Sequence, residues 1–125
     1  MTTYPPTLPQ ITSPKTHAAA LAHSSGLSPT GPIVLIYVTS SANPICRRTT
    51  PKIQLLAANS KYADGERVKF YQMELTPETA PMIKFGIQNT PIFIAYRGKW
   101  CQTVLGPDLV GVERMLDGQL GLRGK

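Results

Sequence analysis

The apolar positions of this chain fall into runs of two periods, and the periods predict its elements. Ile33-Val34-Leu35-Ile36-Tyr37-Val38 is apolar at every position, the pattern of a strand buried on both faces of a sheet. Val68 to Leu75 alternates in part and reads as a second inner strand. Pro91 to Tyr96 reads as a third, and Arg97-Gly98 turns it into a hairpin partner over Lys99 to Leu105. Gln10-Ile11-Thr12 fits a short edge strand. Four segments carry helical signals instead. Ser13 before Pro14 is an N-cap with proline at the first helical position, predicting a helix from Pro14 through Ala22 toward Gly26. Pro44 to about Tyr62 has an apolar face in Ile53, Leu55, Leu56 and Ala57, and Pro51 inside it should kink it. Thr76-Pro77-Glu78 starts a short helix over residues 79–85, ended by Gly86. Gly106-Pro107-Asp108 opens an amphipathic helix with Leu109, Val110, Val112, Met115 and Leu116 on or near one face and Arg114 toward solvent. Ser28 to Pro32 and Asp64-Gly65 are turns. The order is βαβαβαββα. Strands separated by helices force a parallel arrangement, and the final hairpin adds antiparallel strands at one edge, giving an α/β sandwich around a mixed sheet.

Size and composition narrow this further. At 125 residues and 42% apolar the chain supports one core, so we expect a loose Pro/Thr-rich arm at 1–8 and a single domain over 9–125. The longest apolar run, Ile33 to Val38, is far short of the roughly 20 residues a membrane helix needs. The N-terminus lacks the basic-then-apolar order of a secretory signal, and no arginine precedes Arg47, which argues against a transit peptide. Two cysteines, Cys46 and Cys101, are too few for a disulfide scaffold, so a reducing, cytoplasmic setting is expected. His17 and His23 lie six apart without acidic or cysteine neighbours at ligand spacing. They read as surface residues, and neither a metal nor a cofactor is expected. No glycine-rich phosphate loop, paired carboxylates or Ser/His/Asp arrangement stands out.

Charge adds one feature. The net charge is +6, no Asp or Glu precedes Asp64, and the bases of the first half are Lys15, Arg47, Arg48, Lys52 and Lys61. Arg47, Arg48 and Lys52 follow Cys46 closely, either as a basic patch for an anionic partner or as an ordinary solvated helix face. No aromatic residues are interleaved with them, which argues against nucleic-acid binding.

The chemistry concentrates at Ala42-Asn43-Pro44-Ile45-Cys46-Arg47-Arg48, where the buried strand feeds a turn and a helix opens on a proline and a cysteine. From here the residues resemble the thioredoxin family, over about Leu8 to Leu122. Pro51 stands five residues after Cys46, as the family's helix-kinking proline stands after its second active-site cysteine. Thr76 to Pro81, followed by Lys84-Phe85-Gly86-Ile87, resembles the segment before the third long strand. Asn89-Thr90-Pro91-Ile92-Phe93 is similar to the cis-proline motif. Tyr96-Arg97-Gly98-Lys99, with Val104-Leu105-Gly106, resembles the closing hairpin. The resemblance implies a thioredoxin-like three-layer sandwich with helices on both faces of a central mixed sheet.

Three departures bear on function. Asn43-Pro44-Ile45-Cys46 replaces Cys-Gly-Pro-Cys, Ala42 replaces the usual aromatic residue, and Tyr37 falls where the family has a buried acid. Dithiol exchange needs one thiol to attack and a second to release the product. By the resemblance, Cys46 corresponds to the resolving cysteine and the attacker is missing. Asn43 can cap a helix but cannot attack sulfur. The expected function is therefore a protein-binding module without dithiol reductase activity. The resemblance places an extended peptide against the turn of Asn43, Pro44 and Ile45 and the loop of Thr90 and Pro91, by strand addition. The alternative is monothiol exchange at Cys46, with glutathione or another thiol as resolver; against it stands a buried, inert Cys46. Cys46 and Cys101 are expected too far apart to bridge, whereas an exposed Cys101 could join two chains.

Overall fold

The computed structural model describes residues 8–22, 33–58, 62, 68–77, 79–82, 90–97 and 100–120. Its strands are β1 (Gln10–Ile11), β2 (Ile33–Thr39), β3 (Val68–Glu74), β4 (Ile92–Arg97) and β5 (Trp100–Leu105); its α-helices are α1 (Pro14–Ala22), α2 (Pro44–Ala57) and α3 (Leu109–Leu120). The five strands form one sheet in the order β1-β3-β2-β4-β5. β1 and β2 run parallel to β3, while β4 is antiparallel to β2 and β5 antiparallel to β4. The expected α/β sandwich on a mixed sheet is the fold observed.

The central place of β2 explains its unbroken apolar pattern. With a strand on each side and a layer on each face, all seven of its residues are buried. Ile33, Leu35 and Tyr37 face one core with Phe70, Phe93 and Ala95, which Ile53 of α2 and Val112, Met115 and Leu116 of α3 complete. Val34, Ile36 and Val38 face a second core with Met73, Ile92 and Ile94, which Ala20 of α1 joins. Two helices therefore cover one face and α1 the other.

Several sequence expectations shift. Leu8, assigned to the arm, is buried in the first core, and the Gln72 N–H donates to the Pro9 carbonyl beside it at 2.9 Å. His17, read as a surface residue, is half-buried. It stands three before the buried Ala20, on the face of α1 that meets the sheet, and its Nε2 is buried. That burial lowers its pKa from the usual 6.5. α2 ends at Ala57 rather than reaching Tyr62, with Ala58 as its C-cap, whose N–H is shared between the Gln54 and Leu55 carbonyls. Tyr62 is buried outside the helix, tilted against Phe70, with its hydroxyl donating to Asp117 at 2.5 Å.

Leu55 and Val110 are each 60% exposed, contrary to the faces assigned them. At about 100° per residue, Leu55 points away from Ile53, and Val110 away from Val112. Where a helix was expected over 79–85, the described part, Ala80–Met82, is a 3₁₀ turn. Pro81 has no N–H to offer a preceding carbonyl. The expected turns at 28–32 and 64–65, the Lys84 to Ile87 stretch, Asn89, the hairpin's Gly98-Lys99 and His23 lie outside the described residues.

Candidate functional site

The C-terminal end of β2 delivers the chain to a tight turn at Ser40–Asn43. The Asn43 N–H donates to the Ser40 carbonyl at 3.0 Å, and the Ala42 N–H to Ser40 Oγ at 3.3 Å. Two long side chains then grip Ser41. Glu74, the last residue of β3, accepts the Ser41 N–H at 2.8 Å, and Arg47 of α2 donates to the Ser41 carbonyl at 3.3 Å. The turn is thus tied both to the sheet below it and to the helix it starts.

Asn43 is the N-cap of α2, with extended backbone (φ −102°, ψ 115°), and Pro44 is the first helical residue. Its Oδ1 accepts the Ile45 N–H at 2.9 Å, satisfying one of the donors a helix start leaves open. Its Nδ2 reaches across to the other segment, donating to the Thr90 carbonyl at 3.1 Å and approaching Thr90 Oγ1 at 3.4 Å. One side chain therefore caps the helix and ties the turn to the loop before β4. The Thr90–Pro91 peptide is cis. The Pro91 carbonyl accepts the Gly106 N–H at 2.8 Å, where Gly106 takes the positive φ of 83° that suits glycine.

The structure brings Asn43 and Thr90 together but exposes the predicted residues unequally. Ala42, Pro44 and Ile45 are exposed, Ile45 at 41%. Thr90 is only 5% exposed and Pro91 is buried. Ser40, Ala42, Asn43 and Pro44 line a shallow pocket of about 280 Å³. A larger open groove of about 540 Å³ lies between β5 and α3, beside Trp100 and Arg114. Among the described residues no cysteine, histidine or acid lines it, so the turn remains the place where the predicted chemistry meets.

Cys46 faces inward. It is 1% exposed and shares the buried side of α2 with Thr49 and Ile53. Beneath it, the Tyr37 hydroxyl lies 3.0 Å from the Cys46 carbonyl and 2.9 Å from Thr50 Oγ1, and Thr50 itself donates to the same carbonyl at 3.0 Å. Tyr37 stacks on Phe93 with centroids 5.2 Å apart. Desolvation raises its pKa above the usual 10.0, so the phenol holds its proton at neutral pH. Tyr37 therefore supports the first turn of α2 as a hydrogen-bonding strut and cannot serve as a proton acceptor there.

Arg47, Arg48 and Lys52 are exposed along α2, although Arg47 also serves the turn. Cys101 is exposed on β5, opposite Tyr96, and both cysteines are free thiols. Partial burial raises the Cys101 pKa from the usual 9.0. Among the described residues no cluster of three His, Cys, Asp or Glu side chains could hold a metal ion, and no helix is long and apolar enough to cross a membrane. Sequence reasoning missed Ser41, Glu74 and Thr50. Thr50 had a signal, since it stands four after Cys46, the spacing at which a helical threonine bonds back to a carbonyl. Glu74 had none, being 33 residues from its partner.

No family model matches this chain, and no curated protein matches it. Solved structures do. The thioredoxin NaTrxh from Nicotiana alata superposes with a TM-score of 0.74 at 19% identity, covering 95% of this chain and 97% of that one. A thioredoxin from Malassezia sympodialis matches with a TM-score of 0.71 at 16% identity, over 91% and 94% of the two chains. Thioredoxin f from spinach chloroplast, in its short form, gives 0.69 at 13% identity, over 96% and 99%. At such identities the likeness speaks to architecture alone, and on that ground the fold of this chain is thioredoxin-like.

Proposed function

We propose that this chain is a protein-binding module on a thioredoxin-like scaffold, without dithiol reductase activity. The observation that carries this reading is the commitment of Asn43. The residue in the attacking position has no sulfur, and both polar ends of its side chain are used in structure, one capping α2 and the other joining the turn to Thr90. Around it the exposed turn presents the apolar Ala42, Pro44 and Ile45 beside the polar Ser41, with Arg47, Arg48 and Lys52 alongside. An extended polypeptide is the partner that suits such a surface, because its backbone can pair with the loop while its side chains rest on the apolar tip. The burial of Cys46 weighs against monothiol exchange, which requires the thiolate to reach a target sulfur.

The test has two parts. Insulin disulfide reduction should show no turnover, with or without glutathione. Titration with reduced, carboxymethylated insulin B chain, an extended polypeptide without thiols, should shift the NMR signals of residues 41–46 and 90. Turnover that is abolished by Cys46→Ser would overturn the reading, and so would binding that leaves these signals unmoved.

A further inference from the structure

We infer that β5 is a docking edge for an extended acidic polypeptide, which joins the sheet as a further strand and turns carboxylates toward Arg114. β5 ends the sheet, and its six residues pair with β4 one to one without a bulge. In antiparallel pairing every second residue points its N–H and carbonyl away from the neighbouring strand. Among the described residues nothing but β4 takes up a backbone group of Trp100–Leu105. Cys101, Gln102 and Leu105 are exposed, so this row is open to solvent. The opposite edge is blunted, since β1 has only two residues and follows Pro9. β5 carries no proline and no charged residue, the devices that keep an edge from pairing.

The groove beside β5 selects the partner. Trp100 and Gln102 line it from the strand, and Gly111, Arg114 and Gly118 from α3. The two glycines, residues that a helix interior ordinarily avoids, leave that side of α3 without side chains. Arg114 is exposed, is the one charged lining residue among those described, and forms no ion pair among them. The acids of this region are turned elsewhere. Asp108 accepts the Gly111 N–H at 2.9 Å at the start of α3, Glu113 lines a separate groove between α2 and α3, and Asp117 accepts the Tyr62 hydroxyl.

Side chains of an added strand alternate between the faces of the sheet. One set would lie by this groove and the other beside Leu105, which is 49% exposed. The partner that fits is an extended segment of alternating acidic and apolar residues. A second copy of this chain fits poorly, because its β5 brings no carboxylate and each chain carries a net charge of +6. A nucleic acid offers Arg114 its charge but has no peptide backbone to pair with β5. The inference uses no residue of the Asn43 turn and stands or falls apart from the reading of it.

The probe is a peptide of alternating glutamate and valine long enough to span β5, with its lysine–valine counterpart as the control. At a glutamate-peptide concentration ten times its Kd, amide exchange should slow roughly tenfold at every second residue of Trp100–Leu105. The lysine peptide should leave these amides unchanged. Arg114→Gln, a substitution at an exposed position, should weaken the glutamate peptide by roughly two- to fivefold, the worth of one exposed ion pair. Equal binding of both peptides, no protection of β5 by either, or unaltered affinity in Arg114→Gln would each overturn the inference. Signals shifted at Arg114 without protection of β5 would reduce the edge to a polyanion contact and overturn it as well. Protection of β5 that grows with protein concentration in the absence of peptide would make a second copy the occupant instead.

Discussion

The two cysteines of this chain have opposite surroundings, and the contrast shows what the scaffold has kept. Cys46 sits where a reactive thiol is expected, at the start of a helix beside two arginines, yet it is sealed: 1% exposed, on the inner face of α2, above a strut of Tyr37 and Thr50. Cys101 has no motif around it, yet it is open to solvent on β5, at the edge of the sheet. Accessibility here follows the fold rather than the motif. The inner face of α2 must fill the core, so a cysteine in the third helical position turns inward. Side chains alternate between the faces of a strand, and Cys101 points away from the face on which Trp100 and Val104 of β5 pack against the first core.

The largest effect expected of this contrast is kinetic. Iodoacetamide should modify Cys101 in the folded protein at least roughly a hundredfold faster than Cys46, since an opening that costs about 3 kcal/mol already slows labelling that much. Peptide mapping by mass spectrometry separates the two sites. Because burial raises the Cys101 pKa above 9.0, its rate should still be climbing about tenfold per pH unit through neutral pH, as the thiolate is the reacting form. Comparable rates at the two sites would mean that α2 opens readily, and the distinction between the cysteines would collapse.

A stability measurement sharpens the same contrast. Cys46→Ser places a hydroxyl in an apolar site and should cost about 1–3 kcal/mol in urea unfolding. Cys101→Ser changes an exposed group and should stay within about 0.5 kcal/mol of the parent. Equal costs would show that Cys46 is not packed as the structure has it.

How much of this was legible beforehand depends on the range of the interactions involved. The strand at Ile33 to Val38 was readable because burial on both faces leaves a continuous apolar run. The Asn43 cap was readable because a cap and its helix are adjacent in sequence. The faces of α2 and α3 were only partly read: Leu55 and Val110 count as apolar in any window, but the helical period turns them outward. The end of α2 was misjudged because no glycine or proline marks it, and the burial of Tyr62 depends on Phe70 and Asp117, which come from β3 and α3. Asn43 to Thr90, Ser41 to Glu74 and Tyr37 to the Cys46 carbonyl join distant segments. Nothing in local pattern specifies them, so the site as a bonded unit emerged only in the folded chain.

The smallest expected effect concerns the strut under Cys46, and its pH dependence reports whether the buried hydroxyl keeps its proton. Tyr37→Phe keeps the ring stacked on Phe93 and removes the hydroxyl shared with the Cys46 carbonyl and Thr50, so it should cost about 1 kcal/mol. The folded-state pKa of Tyr37 is raised above its ordinary 10.0, chiefly by desolvation, so folding favours the protonated phenol. The stability attached to that preference is complete below pH 10 and is lost as pH climbs toward and through the raised folded value. Tyr71 and Tyr96 are shifted in the same direction, and the usable quantity is therefore the difference between wild type and variant. That difference should be flat from neutral pH to about pH 9 and should shrink above 10. A difference that persists unchanged into alkali would mean that folding does not favour the protonated phenol, and no difference at any pH would leave the first turn of α2 resting on packing alone.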